Sequence, residues 1–419
     1  MPFPPVIPAQ RRPPEVVLVL NGYGNVLEFE WFRMAEEQRM LARGYAERIG
    51  SDEATLFFER YDGRELTQSL PIENVETALR MIARLAVSSD LAVLKSFYDI
   101  QGIGHRVVHG GEKFKSATLV DEGVKDSLAG FASLDPLHNE CNLAGIVACE
   151  QVFPGIANVA VFDSSFHNSM PPSSYLYAIP YDYYKKYGVR KYGFQGNSHQ
   201  FAVEATALLL RRPVAELKLI TINLSLGCSV TAVDGGKVVD TSMGMTPLPG
   251  LIMATRCGDL DPAVVLYLVR QGMSVDAIDE LLNEKSGLLG LAGIGSGQIE
   301  AVIAAAEKNN EQASLALWAF VQRIVSYVGA YYALLGGADA VVFTGRIGET
   351  NAHVRSRVVS QLGILGCHMD ERENHVSGKA KIISDERSTL KAIVMPADEQ
   401  LMIARQAQAV LTGADGGLA

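Results

Sequence analysis

The sequence has few cysteines and no excess of positive charge. Its 419 residues include five cysteines, at positions 141, 149, 228, 257 and 367, and none has the C-x-x-C spacing of a zinc site. This scarcity excludes a disulfide framework and predicts buried thiols in a reducing cytosol. Thirty-seven basic against 47 acidic residues give a net charge of −10, which leaves no surplus of cations for a phosphate backbone. Nucleic acid is therefore not expected as a partner.

The chain also lacks a clear apolar leader and an uncharged membrane span. Residues 1–15 are rich in proline and lack the roughly 7–15-residue apolar core of a signal peptide, so a flexible arm is expected there. Residues 314–336 are largely apolar, but Gln322, Arg323 and Ser326 interrupt them, whereas a span needs about 20 uncharged residues. The pattern favours a buried helix in a cytoplasmic protein without a membrane partner.

The length and composition instead suit a protein with at least two hydrophobic cores. Apolar residues make up 48% of the chain and charged residues 20%, and the length is well above the roughly 150 residues of an average domain. Runs rich in Val, Ile and Leu begin at Val16, Leu217 and Ala338 and end at glycines, as buried strands do. Helical patterns at 74–87 and 314–335 lie between them, which predicts an α/β fold with largely parallel sheets.

Two of these runs share one plan, which predicts a duplicated domain. The strands that begin at Val16 and Leu217 each lead through a glycine-containing turn into a second strand, at 26–32 and 230–239. Two copies of one hairpin predict turns that face each other across a cleft. After the arm of residues 1–15, we expect one domain at 16–162 together with about 400–419, and another at 163–399.

Two arginines lie beside glycines in different halves of the chain. Arg106 belongs to the segment GHRVVHGGE and Arg256 to ATRCGD. A guanidinium fork suits carboxylate and phosphate oxygens, and two such groups suit transfer of an anionic group between anions. A solvated arginine at a strand end explains the first segment equally well.

Three further sequence features are candidates for parts of a catalytic or ligand-binding site. Asp163 follows an apolar run, and an α/β sheet presents its working groups at the carboxyl ends of its strands. Residues 192–199 mix aromatic and amide side chains with glycines, and Glu399 is a candidate metal carboxylate. Helix caps and first-turn acids are ordinary alternatives for these positions.

Several segments resemble the acetate kinase family, in the family's order and at compatible spacing. They are GHRVVHGGEKF, PLHNECN, VAVFDSSFH, RKYGFQGNSH, DTSMGMTPLPGL, TRCGDLDPA, ADAVVFTG and MPADEQLMIAR, within a match from about Val16 to Arg405. The resemblance implies two duplicated RNase H-like domains of the actin-like ATPase type with a cleft between them. It also implies reversible, Mg²⁺-dependent phosphoryl transfer from ATP to acetate or propionate, giving acetyl phosphate and ADP. A homodimer formed through the C-terminal domain is expected on the same basis.

The resemblance assigns roles residue by residue. Its catalytic positions are Arg106, Asp163, Gln195 and Arg256, with the two arginines holding the carboxylate and the transferring phosphoryl group. Its metal-side positions are Asn21 and Glu399, and its small pocket for the acetate methyl group is lined by Val108, Leu137, Phe194 and Pro247. Its phosphate and nucleotide positions are Asn223, Leu224, Ser225, Leu226, Gly227, Arg346, Ile347, Gly348, Glu349 and Thr350.

The departures from the family concentrate on the side of the phosphate donor. Glu28 stands where the family has a lysine, Gln195 where it has a phosphate-facing histidine, and Asn223 where it has a second histidine. Both amides can still donate neutral hydrogen bonds, but neither titrates. Arg346 replaces a glycine of the loop that lies against base and ribose, and residues 297–299 read Gly-Gln-Ile where the family has Asp-aromatic-Arg. Arg346 would either block adenosine or bind phosphate.

Three functions stay open from the sequence. The leading one is an ATP-dependent acyl kinase, and the second uses pyrophosphate or another compact donor because the adenosine contacts differ. The third is a non-catalytic relative that binds an acyl phosphate or a protein partner, which Glu28, Gln195 and Asn223 would suit. For an active enzyme we expect a pH–rate profile without a histidine step near ~6.5 from Gln195 or Asn223.

Overall fold

The computed structural model describes residues 15–35, 37–88, 90–131 and 139–413. Its strands are β1 (Val16–Tyr23), β2 (Val26–Arg33), β3 (Arg39–Glu47), β4 (Ser51–Arg60), β5 (Glu65–Ile72), β6 (Ile100–Val107), β7 (Thr118–Leu119), β8 (Asn158–Phe162), β9 (Lys218–Leu224), β10 (Cys228–Asp234), β11 (Lys237–Thr241), β12 (Ala340–Thr344), β13 (Lys381–Ile382) and β14 (Lys391–Val394). Its α-helices are α1 (Val75–Ser88), α2 (Glu122–Gly130), α3 (Asn139–Val152), α4 (Pro172–Tyr175), α5 (Tyr181–Tyr187), α6 (Gly196–Leu210), α7 (Pro262–Arg270), α8 (Val275–Glu284), α9 (Gly287–Ala292), α10 (Ile299–Glu307), α11 (Glu311–Leu335), α12 (Gly345–Thr350), α13 (Ala352–Val359) and α14 (Glu399–Thr412).

The chain divides into two compact units. Within the described residues, the first unit comprises 15–108, 116–162 and 400–413, and the second comprises 109–115 and 163–399. The short segment 109–115, which the sequence analysis assigned to the N-terminal domain, therefore groups with the second unit.

The first unit is a sheet with helices on both faces. Its strand order is β5-β4-β3-β2-β1-β6-β8-β7, and β6 runs parallel to both β1 and β8. Successive residues of β1 point to opposite faces. Leu18 and Leu20 pack with α1 and α3, whereas Val17 and Val19 pack with Ile403 and neighbouring residues of α14. Both faces of the central strand are therefore buried.

The second unit repeats this plan. Its sheet has the order β11-β10-β9-β12-β14-β13, with β9 antiparallel to β10 and parallel to β12. The series β11-β10-β9-β12-β14 thus corresponds to β3-β2-β1-β6-β8 of the first sheet. Helix α6 packs on one face through Ala202 and Val203, and α11 packs against β9 and β10. The predicted α/β class and the duplicated RNase H-like plan are confirmed.

Two details of the predicted sheets are wrong. The sheets are mixed and not largely parallel, because β1 to β5 form a continuous antiparallel meander. The strand expected at 230–239 is two strands, β10 and β11, which end and begin around Gly235 and Gly236. Both glycines have positive φ, 57° and 81°, a conformation that glycine adopts without steric cost and that reverses the chain in a hairpin.

Helix α11 contains most of the apolar segment noted in the sequence. Among the described residues it is the helix long and apolar enough to cross a bilayer, and the core helix of a globular protein has the same composition. Leu317, Phe320 and Ile324 are buried at helical spacing, whereas Leu315 and Trp318 are more than half exposed. The buried helix predicted from the sequence is therefore buried along one face.

The five cysteines are all free thiols. Cys149, Cys228 and Cys367 are buried, as predicted, but Cys141 and Cys257 are only partly buried. Burial raises the pKa of Cys228 and of Cys367 to about 12. These two thiols are therefore protonated and unreactive near neutral pH.

Candidate active site

Arg106 lies at the carboxyl end of β6 and begins a chain of side-chain hydrogen bonds in the first unit. Its Nη1 atom donates to Oδ1 of Asn21 at 3.1 Å. The Nδ2 atom of Asn21 donates to Oε2 of Glu28 at 2.9 Å, and the Tyr23 hydroxyl donates to Oε1 of Glu28 at 2.8 Å. Asn21 and Glu28 are directly opposite each other on β1 and β2. The pairing of these strands therefore orients the Asn21 amide, which in turn holds Arg106.

Glu28 thus has a defined role at the position where the family has a lysine. Its carboxylate accepts from both Asn21 and Tyr23. Burial and the negative charge of Glu28 hold the pKa of Tyr23 well above 10, so the hydroxyl remains a donor at neutral pH. Because the Asn21 amide oxygen faces Arg106, that oxygen is already engaged and does not extend freely toward a metal.

A small cavity lies beside this chain of hydrogen bonds. Its volume is about 240 Å³, and its lining includes Tyr23, Arg106, Cys141 and Asn142. This is below the roughly 300–1,000 Å³ of pockets for drug-sized ligands. The cavity therefore gives the guanidinium of Arg106 a neighbourhood suited to a small ligand.

Asp163 follows β8 directly and is anchored to the start of α6. The residue is completely buried. Its Oδ1 atom accepts from Nδ2 of Asn197 at 2.8 Å, and its backbone carbonyl accepts from the Gly196 N–H at 2.9 Å. The amino end of a helix favours a nearby carboxylate. The start of α6 therefore fixes the orientation of Asp163, and the side chain of Gln195, the residue before the helix, forms no capping hydrogen bond.

Gln195 precedes α6 in the left-handed backbone region, with φ of 58°. Its Oε1 atom accepts from the Ser229 hydroxyl at 2.5 Å, and its Nε2 atom donates to the Gly227 carbonyl at 3.3 Å. Ser229 lies on β10, and Gly227 lies in the turn between β9 and β10. The glutamine amide therefore lies against the turn at 223–227 that the family resemblance assigned to phosphate binding.

The two segments predicted to bind phosphate and nucleotide contact each other. The Ser225 hydroxyl accepts from the Arg346 backbone N–H at 3.1 Å. Asn223 is buried and donates through Nδ2 to the Ser198 hydroxyl at 2.9 Å. Gly345 has φ of 74°, and a Cβ atom there would lie 2.2 Å from Oδ1 of Asn223. Glycine therefore permits the close approach of α12 to the turn at 223–227.

The Arg346 side chain points to the beginning of α10. Its Nη1 atom donates to Oε1 of Glu300 at 2.8 Å, and Nη2 donates to Oε1 of Gln298 at 3.2 Å. Hydrogen bonding from Arg346 lowers the pKa of Glu300, so the carboxylate stays ionised and neutralises the guanidinium. The structure therefore joins Arg346 to the 297–299 segment, another position where the chain departs from the family. Glu300 was not predicted as a site residue, although its acidic side chain directly follows the 297–299 segment in the sequence.

The remaining charged site positions lie in the second unit. Arg256 is partly buried in the loop between β11 and α7, where its backbone carbonyl accepts from the Met253 N–H at 3.1 Å.

Glu399 is the first residue of α14 and is partly buried. Oε1 of Glu349 accepts from the backbone N–H of Ala397 at 2.9 Å, and burial raises the pKa of Glu349. Glu349 and Glu399 therefore lie on neighbouring segments. The described residues contain no group of three or more His, Cys, Asp and Glu arranged to hold a metal.

The four residues predicted to line the methyl pocket are in different environments. Val108 is buried in the first unit, and its N–H donates to Oδ1 of Asn142 at 3.2 Å. Phe194 is buried in the second unit with its ring centroid 5.6 Å from that of His109, and Pro247 is partly buried in a loop of that unit. Leu137 lies outside the described residues. Their assembly into one pocket stays a prediction.

Comparison with known proteins decides the family. Residues 16–405 match the model of the Acetokinase family. The chain belongs to this family. The acetate kinase of Methanosarcina acetivorans is 44% identical over 395 residues, which are 94% of this chain and 96% of that protein. The resemblance recognised from the sequence is confirmed.

Solved structures of family members have the same fold. The acetate kinase of Porphyromonas gingivalis superposes with a TM-score of 0.90 at 36% identity, over 95% of this chain and all (100%) of that one. A propionate kinase from Francisella tularensis superposes with a TM-score of 0.87 at 35% identity, over 94% of this chain and 98% of that one. This family member therefore has the acetokinase fold over nearly its whole length.

In this acetokinase, a buried polar network that was not predicted from the sequence lies behind Gln195. The His199 ring lies between the hydroxyls of Thr221 and Ser229, at 2.7 Å from each. Thr221 lies on β9 and Ser229 on β10, two strands whose side chains are mostly buried. Several polar residues in such strands were the available signal. Burial, reinforced by nearby His167, holds the pKa of His199 well below 6.5. The His199 ring is therefore neutral at physiological pH.

Proposed function

We propose that this acetokinase transfers a phosphoryl group reversibly between ATP and acetate or propionate, giving acetyl phosphate or propionyl phosphate and ADP. The observation that carries the proposal is the family match over residues 16–405, which includes both arginine segments. Relatives named acetate kinase and a solved structure named propionate kinase support these carboxylates. The protein is then a phosphotransferase with a carboxyl group as acceptor.

Direct in-line transfer needs fixed positive charge and very little covalent chemistry from the protein. A carboxylate oxygen forms a bond to the γ-phosphorus while the bond from that phosphorus to the ADP oxygen breaks. Arg106 and Arg256 offset charge on the carboxylate and on the transferring phosphoryl oxygens. Gln195 supplies a neutral donor, and Asp163, held by Asn197, orients either an arginine or the acyl substrate.

The donor phosphates would lie against the turn at 223–227 and residues 346–350. These segments contact each other through Ser225 and the Arg346 N–H. Magnesium ions in such sites are held by one or two carboxylates together with substrate phosphates and water. Glu399 suits that role, because it is a partly buried carboxylate that follows the Glu349–Ala397 contact. Asn21 suits it less well, since its amide oxygen accepts from Arg106. Bound Mg²⁺ supplies charge neutralisation to the phosphates.

A donor and acceptor screen tests the function. Acetate, propionate and butyrate are incubated with Mg²⁺ and either ATP, GTP or pyrophosphate, and the acyl phosphate is trapped as a hydroxamate. We expect ATP-dependent product with acetate and propionate. Turnover with pyrophosphate and none with ATP would contradict ATP as the phosphoryl donor. No turnover with any pair of donor and acceptor would contradict the proposed kinase activity itself.

A homodimer in the cytoplasm is part of the same proposal. Helix α7 is strongly apolar, yet none of its residues is buried within the chain. Its Val264, Leu266, Tyr267 and Val269 side chains are between 36% and 58% exposed and are distributed around the helix. Large exposed apolar surfaces mark interfaces. We assign this face to a second copy of the chain. The free cysteines suit the reducing cytoplasm.

The dimer is tested by light scattering after size exclusion. The wild type is expected at the mass of two chains, and Leu266→Asp, which puts a charge on the α7 face, is expected at the mass of one. Ile364→Asp is the control, because Ile364 is 94% exposed and lies in the same unit far along the chain from α7. A monomeric wild type would contradict the assignment.

A further inference from the structure

Gln195 ends a chain of hydrogen bonds that passes through the core of the second unit. In order, the contacts are Thr221 Oγ1 to His199 Nδ1 at 2.7 Å, His199 Nε2 to Ser229 Oγ at 2.7 Å, and Ser229 Oγ to Gln195 Oε1 at 2.5 Å. Thr221, Ser229 and His199 are completely buried. Water therefore does not substitute for any of these partners.

The direction of each hydrogen bond follows from the number of available protons. The Gln195 Oε1 atom only accepts, so the Ser229 hydroxyl must donate to it. Ser229 has one proton and has used it, so His199 must donate from Nε2 to the Ser229 oxygen. A neutral imidazole carries one N–H. The Nδ1 atom of His199 therefore accepts. The Thr221 hydroxyl donates its one proton to this nitrogen at 2.7 Å, and the Thr231 carbonyl, at 3.4 Å from the same hydroxyl, is the more distant acceptor.

This order matters because a glutamine amide has one donating end and one accepting end. The oxygens of a phosphoryl group only accept hydrogen bonds, so only the Nε2 end of Gln195 stabilises them. Binding of Oε1 to Ser229 leaves Nε2 beside the turn at 223–227, where it donates to Gly227. Reversal of the amide would present an oxygen to the phosphoryl group and would repel it.

We propose that Ser229 and His199 are positioning residues, which fix the side-chain amide of Gln195 so that Nε2 faces the transferring phosphoryl group. The proposal rests on the proposed acyl kinase function. It explains how this chain uses glutamine at a position where its family has histidine. The buried imidazole of His199 acts through Ser229 and does not touch the substrate.

The His199 tautomer is read directly from the wild-type protein. Nitrogen-15 labelling of its eight histidines and a proton–nitrogen correlation spectrum distinguish protonated from unprotonated ring nitrogens, and the His199→Gln spectrum identifies the His199 signals. We expect a neutral ring protonated at Nε2 throughout pH 6 to 8. A ring protonated at Nδ1, or one that becomes charged in this range, would overturn the proposal. This result does not depend on turnover, so it is separate from a failure of the proposed function.

Kinetics of Ser229→Ala in two backgrounds test the positioning role. Removal of a preorganised donor costs roughly 10²–10³ in rate, and loss of its orientation alone should lower kcat about tenfold. We expect that loss with an unchanged KM for acetate, and no further loss when Ser229→Ala is added to Gln195→Ala. Equal losses in both backgrounds, or no loss in the wild type, would overturn the proposal.

Two further variants separate positioning from general damage to the core. Thr231→Val is the matched control, because Thr231 is a buried hydroxyl on the same strand that bonds to Thr241 and His167. It should leave kcat unchanged. Should Ser229→Ala not fold, Thr221→Val replaces it, since Thr221 supplies the proton accepted by His199. Thr221→Ser should then restore the kcat that Thr221→Val loses, and failure to restore it would count against the proposal.

Discussion

At the residue scale, two positions that the family resemblance marks as altered have hydrogen-bond partners within their own unit. Glu28 accepts from Asn21 and Tyr23, and Gln195 accepts from Ser229. Burial removes water from these polar groups, and each partner replaces a hydrogen bond that water would have made. Glu28 and Gln195 are therefore accommodated locally, and the Asn21–Arg106 contact lies beside Glu28.

Replacement of Arg106 tests the central charge of the proposed reaction. Arg106→Gln should lower kcat by roughly 10²–10³, because a charged donor to the phosphoryl group is removed, and it should raise the KM for acetate. Steady-state kinetics in the direction of acetyl phosphate synthesis measure both constants. The control is Arg80→Gln on α1, whose arginine forms an exposed pair with Glu76. Normal kcat in Arg106→Gln would contradict the assigned role.

The sequence identified residue types better than it identified their contacts. It predicted Arg106 and Asp163 as site residues from segments beside strand ends, and both indeed follow or end parallel strands. It did not predict that Asn21 would face Arg106, because that orientation depends on the register that places Glu28 opposite Asn21. The pairing of Arg346 with Glu300 was not predicted either, because the two residues are far apart in the chain and only the fold brings them together.

At the element scale, the donor-side segments are connected by contacts between helix ends and turns. The beginning of α12 contacts the turn at 223–227 through Ser225, and the Arg346 side chain connects α12 to the beginning of α10 through Glu300. An exposed ion pair contributes little to stability. Its main effect is therefore to place a long side chain along the segment that the family resemblance assigned to adenosine.

Removal of this side chain should improve the use of ATP. Arg346→Gly is expected to lower the KM for ATP several-fold without changing the KM for acetate, because space opens beside Gln298 while the acyl side is untouched. Initial rates at varied ATP concentration measure the effect. Arg212→Gly is the matched control, since Arg212 forms another exposed pair in this unit, with Asp339. A higher KM for ATP in Arg346→Gly would show that the arginine binds the donor.

Secondary structure was predictable where an element is a continuous apolar run. The strands beginning at Val16 and Leu217 and the helices at 74–87 and 314–335 are present as β1, β9, α1 and α11. The antiparallel meander of the first sheet was not predicted, because its outer strands β3 to β5 carry many exposed polar residues. Such strands lack the continuous apolar signal of central strands.

At the scale of the whole molecule, both units bury neutral histidines. Burial lowers the pKa of His105 in the first unit to about 4 and that of His167 in the second unit to about 3, and it holds the pKa of His199 well below 6.5. An unfolded histidine has a pKa near 6.5. Below that pH the unfolded chain binds protons that the folded chain excludes, so acid favours unfolding.

The free energy of unfolding should therefore decrease as the pH falls from about 6.5 toward 4. Each such imidazole contributes a slope of up to about 1.4 kcal/mol per pH unit. Urea unfolding at pH 7.5, 6.5, 5.5 and 4.5 measures the decrease. His105→Gln should flatten the dependence, because one excluded proton is removed. A constant urea midpoint between pH 7.5 and 4.5 would contradict the expectation.

The late position of helix α14 in the chain determines which of the two units can finish folding first as the polypeptide is synthesised. The strand residues Val17 and Val19 remain exposed until Ile403 and Ala407 have been synthesised, since these late residues cover one face of the first sheet. The second unit, apart from a short early segment, is continuous from 163 to 399 and includes only the first residue of α14. The half that begins translation first is therefore the one that finishes folding last.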